Sequence, residues 1–131
     1  MKIGKELMEG LARIRKGLAE TRAGAGGTAD LVKKGAIEAS DKALDETKES
    51  AARVKEALAE AGTRAEKETG ETRVLAKEYL DKAGKAIVSA EKELSGAAVK
   101  IKAKSIEGTE EAIAKAKKVL DEAEELIAKI K

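Results

Sequence analysis

Hydrophobic positions recur every seven residues along most of this chain. Leu80, Ile87, Leu94 and Ile101 form one row, and Ala76, Ala83, Ala90 and Ala97 form a second, four residues ahead of the first. Three- and four-residue steps place both rows on one face of a helix, and a sustained seven-residue repeat is a helix-packing seam. One row is large and the other small. The pattern therefore predicts a neighbouring backbone that comes close over the alanines while Leu and Ile fill the groove beside it.

The same device predicts four helices, over about 2–23, 29–61, 72–104 and 109–130. In the first, Leu7 and Ile14 are seven apart, as are Leu11 and Leu18, and Gly10, Gly17 and Gly24 form a third row beside them. Glycine inside a helix costs about 1 kcal/mol relative to alanine, so three on one stripe suggest close approach to another helix. The second helix carries Ile37, Leu44, Ala51 and Leu58, with Ser40, Thr47, Val54 and Ala61 alongside and a small row of Ala36, Ala43, Ser50 and Ala57. Gly35 marks a kink or an early boundary there. The third keeps its phase across Ser95-Gly96 and is read as continuous. The fourth carries Ile113, Leu120 and Ile127, with Ala116, Ala123 and Ile130. Three Gly-Thr steps, Gly27-Thr28, Gly62-Thr63 and Gly108-Thr109, are read as the breaks. Glycine can take positive φ and threonine can cap the next helix, and Thr63-Arg64-Ala65-Glu66 has the form of a capping box. The alternating stretch Val99–Ile106 is strand-like, but a lone strand has no partner, so it reads as a helix end or linker.

Charge supports four segments. Residues 1–35 are net +4, 36–62 net −3, 63–72 net −1, 73–105 net +4 and 106–131 net −2. Basic, acidic, basic, acidic gives every neighbour in an up-down square the opposite sign and disfavours wrong pairings. The total is only +2 over 131 residues. That small net charge argues for a folded chain, since disordered chains combine low hydrophobicity with high net charge. Large aliphatics are nevertheless scarce: 11 Leu, 9 Ile and 6 Val, matched by 26 Ala.

Seven residue types are missing: His, Cys, Trp, Phe, Pro, Asn and Gln. Without cysteine there is no disulfide frame and no thiolate metal site. Without His or Cys, only an all-carboxylate metal site is conceivable, and the acidic runs Asp41/Asp45/Glu49 and Asp121/Glu122/Glu124/Glu125 read as solvated helix faces. Ser40, Ser50, Ser89, Ser95 and Ser105 have no nucleophile–base motif around them. The AGAGGT stretch lacks the Gly-Lys-Thr ending and the preceding strand of a phosphate loop. Lys100, Lys102 and Lys104 cluster without interleaved aromatics, unlike a nucleic-acid surface. Tyr79, the only aromatic residue, reads as a partly buried ring. Met1–Gly17 has no signal-peptide apolar core, and the longest uncharged run, Ala23–Ala29, is too short to span a membrane. A soluble chain is expected.

Membrane-surface binding is the competing reading. Val32, Ala43, Val54, Ala65, Ala76 and Ile87 are each eleven apart, a period that makes a long, nearly straight apolar stripe. Lipid-surface helices usually carry bulky anchors, and this stripe is rich in alanine.

The missing residue types, the Gly-Thr steps and the Ala/Leu rows together resemble de novo designed four-helix bundles. The stretch Thr47–Thr72 is similar to the Lys/Glu/Ala/Thr-rich repeats of late embryogenesis abundant proteins. That second resemblance implies desiccation protection and disorder until dried or membrane-bound.

These readings predict one all-α domain over 1–131, an up-down antiparallel four-helix bundle with Ala/Gly-rich close-packed seams. The second and third helices would be ~50 Å long at ~1.5 Å per residue, the outer two about two-thirds of that, and the tip near Gly62 would protrude or self-associate. The expected function is a structural scaffold or helix-mediated interaction protein with no catalytic activity. The alternative is an amphipathic membrane-surface or stress-protection helical protein. No catalytic, cofactor-binding or metal-ligating residue is expected, and no nucleic-acid or integral-membrane partner. A homo-oligomer through helix faces fits the rows, and the pattern specifies no small-molecule ligand.

Overall fold

A computed structural model describes residues 2–130. They form α1 (Lys5–Lys33), α2 (Ile37–Ala65), α3 (Gly70–Lys102) and α4 (Ile106–Ala128), with no strand among the described residues. Each helix packs on two others, α1 on α2 and α4, α3 on α2 and α4, and the backbones of the diagonal pairs do not approach each other closely. The result is an all-α four-helix bundle.

The helix boundaries differ from those predicted, and for one reason. The Gly-Thr steps are not breaks. Thr28 Oγ1 donates to Gly24 O at 2.8 Å, Thr63 Oγ1 to Ala59 O at 3.3 Å and Thr109 Oγ1 to Ser105 O at 2.7 Å. Each threonine bonds back into its own helix instead of capping the next. The packing rows run straight through: Leu7 and Ile14 continue to Thr21 and Thr28, and Leu11 and Leu18 to Ala25 and Val32, all buried. Tertiary burial overrides the weak helix propensity of AGAGGT.

The real connections are Lys34–Ala36, Glu66–Thr69 and Ala103–Ser105. Gly35, at φ +75°, ends α1: Ala36 N donates to Leu31 O and Gly35 N to Val32 O, the paired bonds of a Schellman motif. The end of α3 repeats both bonds with Lys104 in the left-handed position, at φ +59°. Lysine there gives no glycine signal, so the break lies four residues ahead of the predicted one at Gly108. Ser105, not Thr109, caps α4 by accepting from Gly108 N at 3.2 Å. α3 is continuous across Ser95-Gly96, and Val99–Ile106 divides into helix end, turn and helix start.

With α1 and α2 of equal length, the tip near Gly62 does not protrude. Gly4 N donates to Glu68 Oε1 at 2.6 Å and Arg64 Nη1 to Glu6 O at 2.9 Å, so the start of α1 flanks the α2–α3 turn.

The glycine row of α1 marks a close approach. A Cβ built on Gly10 would touch Ala61 at 3.4 Å, one on Gly17 would meet Val54 Cγ2 at 2.7 Å, and one on Gly24 would overlap Thr47. The partners step back by seven along α2, so the two helices are antiparallel in matched register. Space requires glycine at Gly17 and Gly24, whereas a Cβ at Gly10 would make ordinary contact. Gly96 has open space at its Cβ position and no positive φ. The same substitution should therefore have opposite signs. Gly17→Ala with Gly24→Ala should lose about 1–3 kcal/mol through overpacking, while Gly96→Ala should gain up to ~1 kcal/mol of helix propensity. Urea midpoints of the three proteins check this.

The core has two stacked clusters. One centres on Leu7, Leu11, Ile14, Leu18, Ile87 and Leu120, the other on Val32, Leu44, Leu94, Ile101 and Ile113. The alanine row of α3 is completely buried. Taken by observed helix, the net charges are +2, −2, +2 and −4 from α1 to α4, so touching helices carry opposite signs. Arg22 bridges α1 to α4 through Asp121 at 2.9 Å and Glu124 at 3.0 Å, and Arg13 bridges α1 to α2 through Glu60 at 2.9 Å. Exposed pairs of this kind contribute at most ~1 kcal/mol each, and their value lies in fixing which helices are neighbours.

Candidate functional site

The residues capable of chemistry are dispersed or already occupied. Buried Thr21, Ser40, Thr47 and Ser50 donate to Gly17 O, Ala36 O, Ala43 O and Glu46 O, each the carbonyl four residues back. Thr28 and Thr109 do the same. Among the described residues every buried hydroxyl has its donor satisfied by its own helix, so none points into a cavity as a nucleophile. Ser89 and Ser95 are exposed, and Ser105 is spent as the α4 cap. Asp121 and Glu124 engage Arg22, and no three carboxylates among the described residues lie where they could hold a metal ion. Lys100, Lys102 and Lys104 are exposed at the end of α3. Tyr79 is partly buried against the first cluster, with Lys129 Nζ 5.9 Å from its ring centre, a cation–π contact.

One concave surface stands out, a groove of about 610 Å³ between α2 and α3. Its floor is Leu58, Leu80 and Ala59, continued by Val88, with Gly62 and Gly84 at its walls. Lys55, Lys77, Lys85 and Asp81 stand at its rim. Lys55 Nζ pairs with Glu91 at 3.2 Å across the two helices, Lys77 with Glu66 at the α2–α3 turn, and Lys85 with Asp81 at 3.5 Å. Hydrogen bonding and charge from Lys77 lower the pKa of the Glu66 carboxyl below its ordinary value. The size is that of ordinary ligand sites, roughly 300–1,000 Å³.

A smaller groove of about 360 Å³ lies over Gly17 between α1 and α2, walled by charged residues including Arg13, Glu20, Arg53 and Glu60. Its rim is largely self-neutralised and it presents little apolar floor.

No family model, no curated protein and no solved structure matches this chain. Among the described residues no helix is long and apolar enough to cross a membrane.

The sequence pattern does not reveal the α2/α3 groove as long as Gly62 is read as a helix end; the structure carries α2 through Gly62 to Ala65. The available signal was the unbroken row Leu44, Ala51, Leu58, Ala65, which carries α2 past Gly62 and leaves that glycine mid-helix.

Proposed function

We propose that this chain is a non-catalytic helical scaffold of designed type, whose work is done by the faces of its helices. The observation that supports it best is the fate of the buried hydroxyls, each turned back on its own helix and none held ready for a substrate. Nucleophilic catalysis needs a nucleophile beside a base, and the buried hydroxyls among the described residues are bonded to backbone carbonyls instead. The omission of seven residue types and the matched seven-residue register of α1 and α2 fit a sequence written for a backbone.

The membrane-surface reading requires one long apolar stripe. The eleven-residue series from Val32 to Ile87 crosses two turns and lies on three helices, and five of its six members are buried within the bundle.

Circular dichroism separates the two. The scaffold predicts full helicity in plain buffer, a cooperative urea transition, and no gain in helicity with phosphatidylglycerol/phosphatidylcholine vesicles. It also predicts no turnover of activated ester or phosphate substrates. A coil in buffer that becomes helical only on vesicles would replace it with the membrane-surface reading.

A further inference from the structure

The middle turn of the bundle differs from the other two in what a straight helix through it would do to the buried rows. From Ala65 back to Ser40 in α2, and from Ala76 on to Ile101 in α3, the rows step identically, by four and three residues in turn, with Ser50 beside the first. Ala65 and Ala76 are eleven residues apart. Eleven residues complete three helical turns to within about 20°. A helix carried straight from α2 into α3 would therefore keep one unbroken apolar stripe, with Thr69 and Thr72 falling on it. The outer turns do not allow this. Val32 to Ser40 and Ile101 to Thr109 are eight residues each, which would leave the rows about 80° apart on a straight helix.

The backbone of the middle turn is already close to helical. Lys67 N donates to Arg64 O at 3.1 Å and Glu68 N to Ala65 O at 3.0 Å, the three-residue bonds of a tightened helix end. Glu66, Lys67 and Glu68 are of types that form helices well. The reversal is held at Thr69, extended at φ −116° and ψ 157°, and at Gly70, at φ +57°. The contacts that brace it, Lys77 to Glu66, Lys67 to Glu6 at 3.1 Å and Gly4 N to Glu68, are all exposed, and exposed pairs are weak.

We propose that the α2–α3 turn is a hinge through which two copies of this chain exchange halves. Straightened, each copy presents one helix from Ile37 to Lys102, ~100 Å long at ~1.5 Å per residue. Its α2 part carries net −2 and its α3 part net +2. The rows of the two parts are mirror images about the turn. Two such helices laid antiparallel therefore match acidic against basic and row against row. The α1–α2 pair of one copy then packs on the α3–α4 pair of the other through the contacts the single chain makes with itself. Reuse of an existing interface is what makes exchange of identical elements a low-cost route to a dimer. The partner is a second copy because its charge order and its row register are those this chain is already built to meet.

The test is Gly70→Ala, with Gly35→Ala as its control. Both glycines hold positive φ at a turn, where alanine is penalised, and alanine is the better helix former. Only at Gly70 does a straight helix keep the rows in phase. Gly70→Ala should therefore lower the dimer dissociation constant by at least a hundredfold in sedimentation equilibrium, with helicity undiminished, because the penalty and the gain each enter twice per dimer. Gly35→Ala should stay as monomeric as the parent. Distances read the exchange itself. The chain has no cysteine, and Lys55 and Glu91 meet across α2 and α3 at 3.2 Å. Spin labels on Lys55→Cys with Glu91→Cys should be close together in the monomer. In dimers refolded from a trace of labelled chain with excess unlabelled chain, the two labels should lie ~54 Å apart along the straight helix, at ~1.5 Å per residue. A diluted dimer that keeps the short distance is a side-by-side pair and overturns the proposal. So does a folded Gly70→Ala variant that stays monomeric at millimolar concentration, or a Gly35→Ala variant that dimerises as tightly. If Gly70→Ala does not fold, the parent refolded at millimolar concentration decides by the same labels: a ~54 Å population carries the proposal, and the short distance alone overturns it. None of these outcomes bears on whether the bundle lacks catalysis.

Discussion

Replacing Ala83 and Ala90 together by leucine should destabilise the bundle by about 2–6 kcal/mol, at ~1–3 kcal/mol per overpacked site, although both changes add apolar surface. Both alanines are completely buried in the face that α3 turns to the core. The principal partner of α3 is α4, which brings its own buried alanines, Ala116 and Ala123. Small residues on both helices leave no space for the six added heavy atoms to be absorbed by rotamer changes alone. The helices must separate or the protein must find another assembly. Ala114→Leu, on the exposed side of α4, serves as the control and should be nearly neutral. Guanidinium midpoints and sedimentation of all three proteins decide it. A double variant more stable than the parent, with its association state unchanged, would show that the alanine row is not a close-packed seam.

Ile87→Ala should cost about 2–5 kcal/mol, the usual range for deleting a buried aliphatic side chain and leaving a cavity. Ile87 is fully buried in the first cluster, whereas its neighbour Val88 is 55% exposed. Val88→Ala should stay within ~0.5 kcal/mol, as surface changes do. The two residues are adjacent and similar in type, so composition and propensity predict no such gap. Comparable losses in the two urea melts would mean that the assigned faces of α3 are wrong.

The seams were legible in the sequence because a seven-residue row is a direct consequence of helix geometry. Leu80 to Ile101, the alanines of α3 and the glycines of α1 all fall where the repeat puts them. The turns were not, because glycine answers several physical demands and the residue alone does not say which. Gly35 and Gly70 serve positive φ, Gly17 and Gly24 serve close approach, and Gly62 and Gly84 serve neither. Continuity of the rows would have resolved the first two breaks. That criterion kept α3 whole at Gly96, and it extends equally through AGAGGT and through Gly62. The third turn was less accessible, since Lys104 occupies a left-handed position usually held by glycine and so lacks the customary mark. The groove was invisible for a related cause. It depends on two glycines from different helices standing at one level, a relation that exists only once the α2/α3 register is known.

The packing is uneven in a way that bears on how the molecule opens. α1 is joined to α2, and α3 to α4, far more extensively than α2 to α3 or α1 to α4. The protein is in effect two helical hairpins laid against each other. Native proteins open along their least stabilised boundaries first. The lowest-energy excursion is thus the parting of one hairpin from the other, with the glycine–valine and glycine–threonine contacts of α1 and α2 left intact. Amides near the hairpin-to-hairpin boundary would exchange with solvent through that excursion, while those of the tight pairs would wait for a rarer event. Leu58 and Leu80, already the least covered of the buried aliphatic residues, would be the first core side chains to meet water.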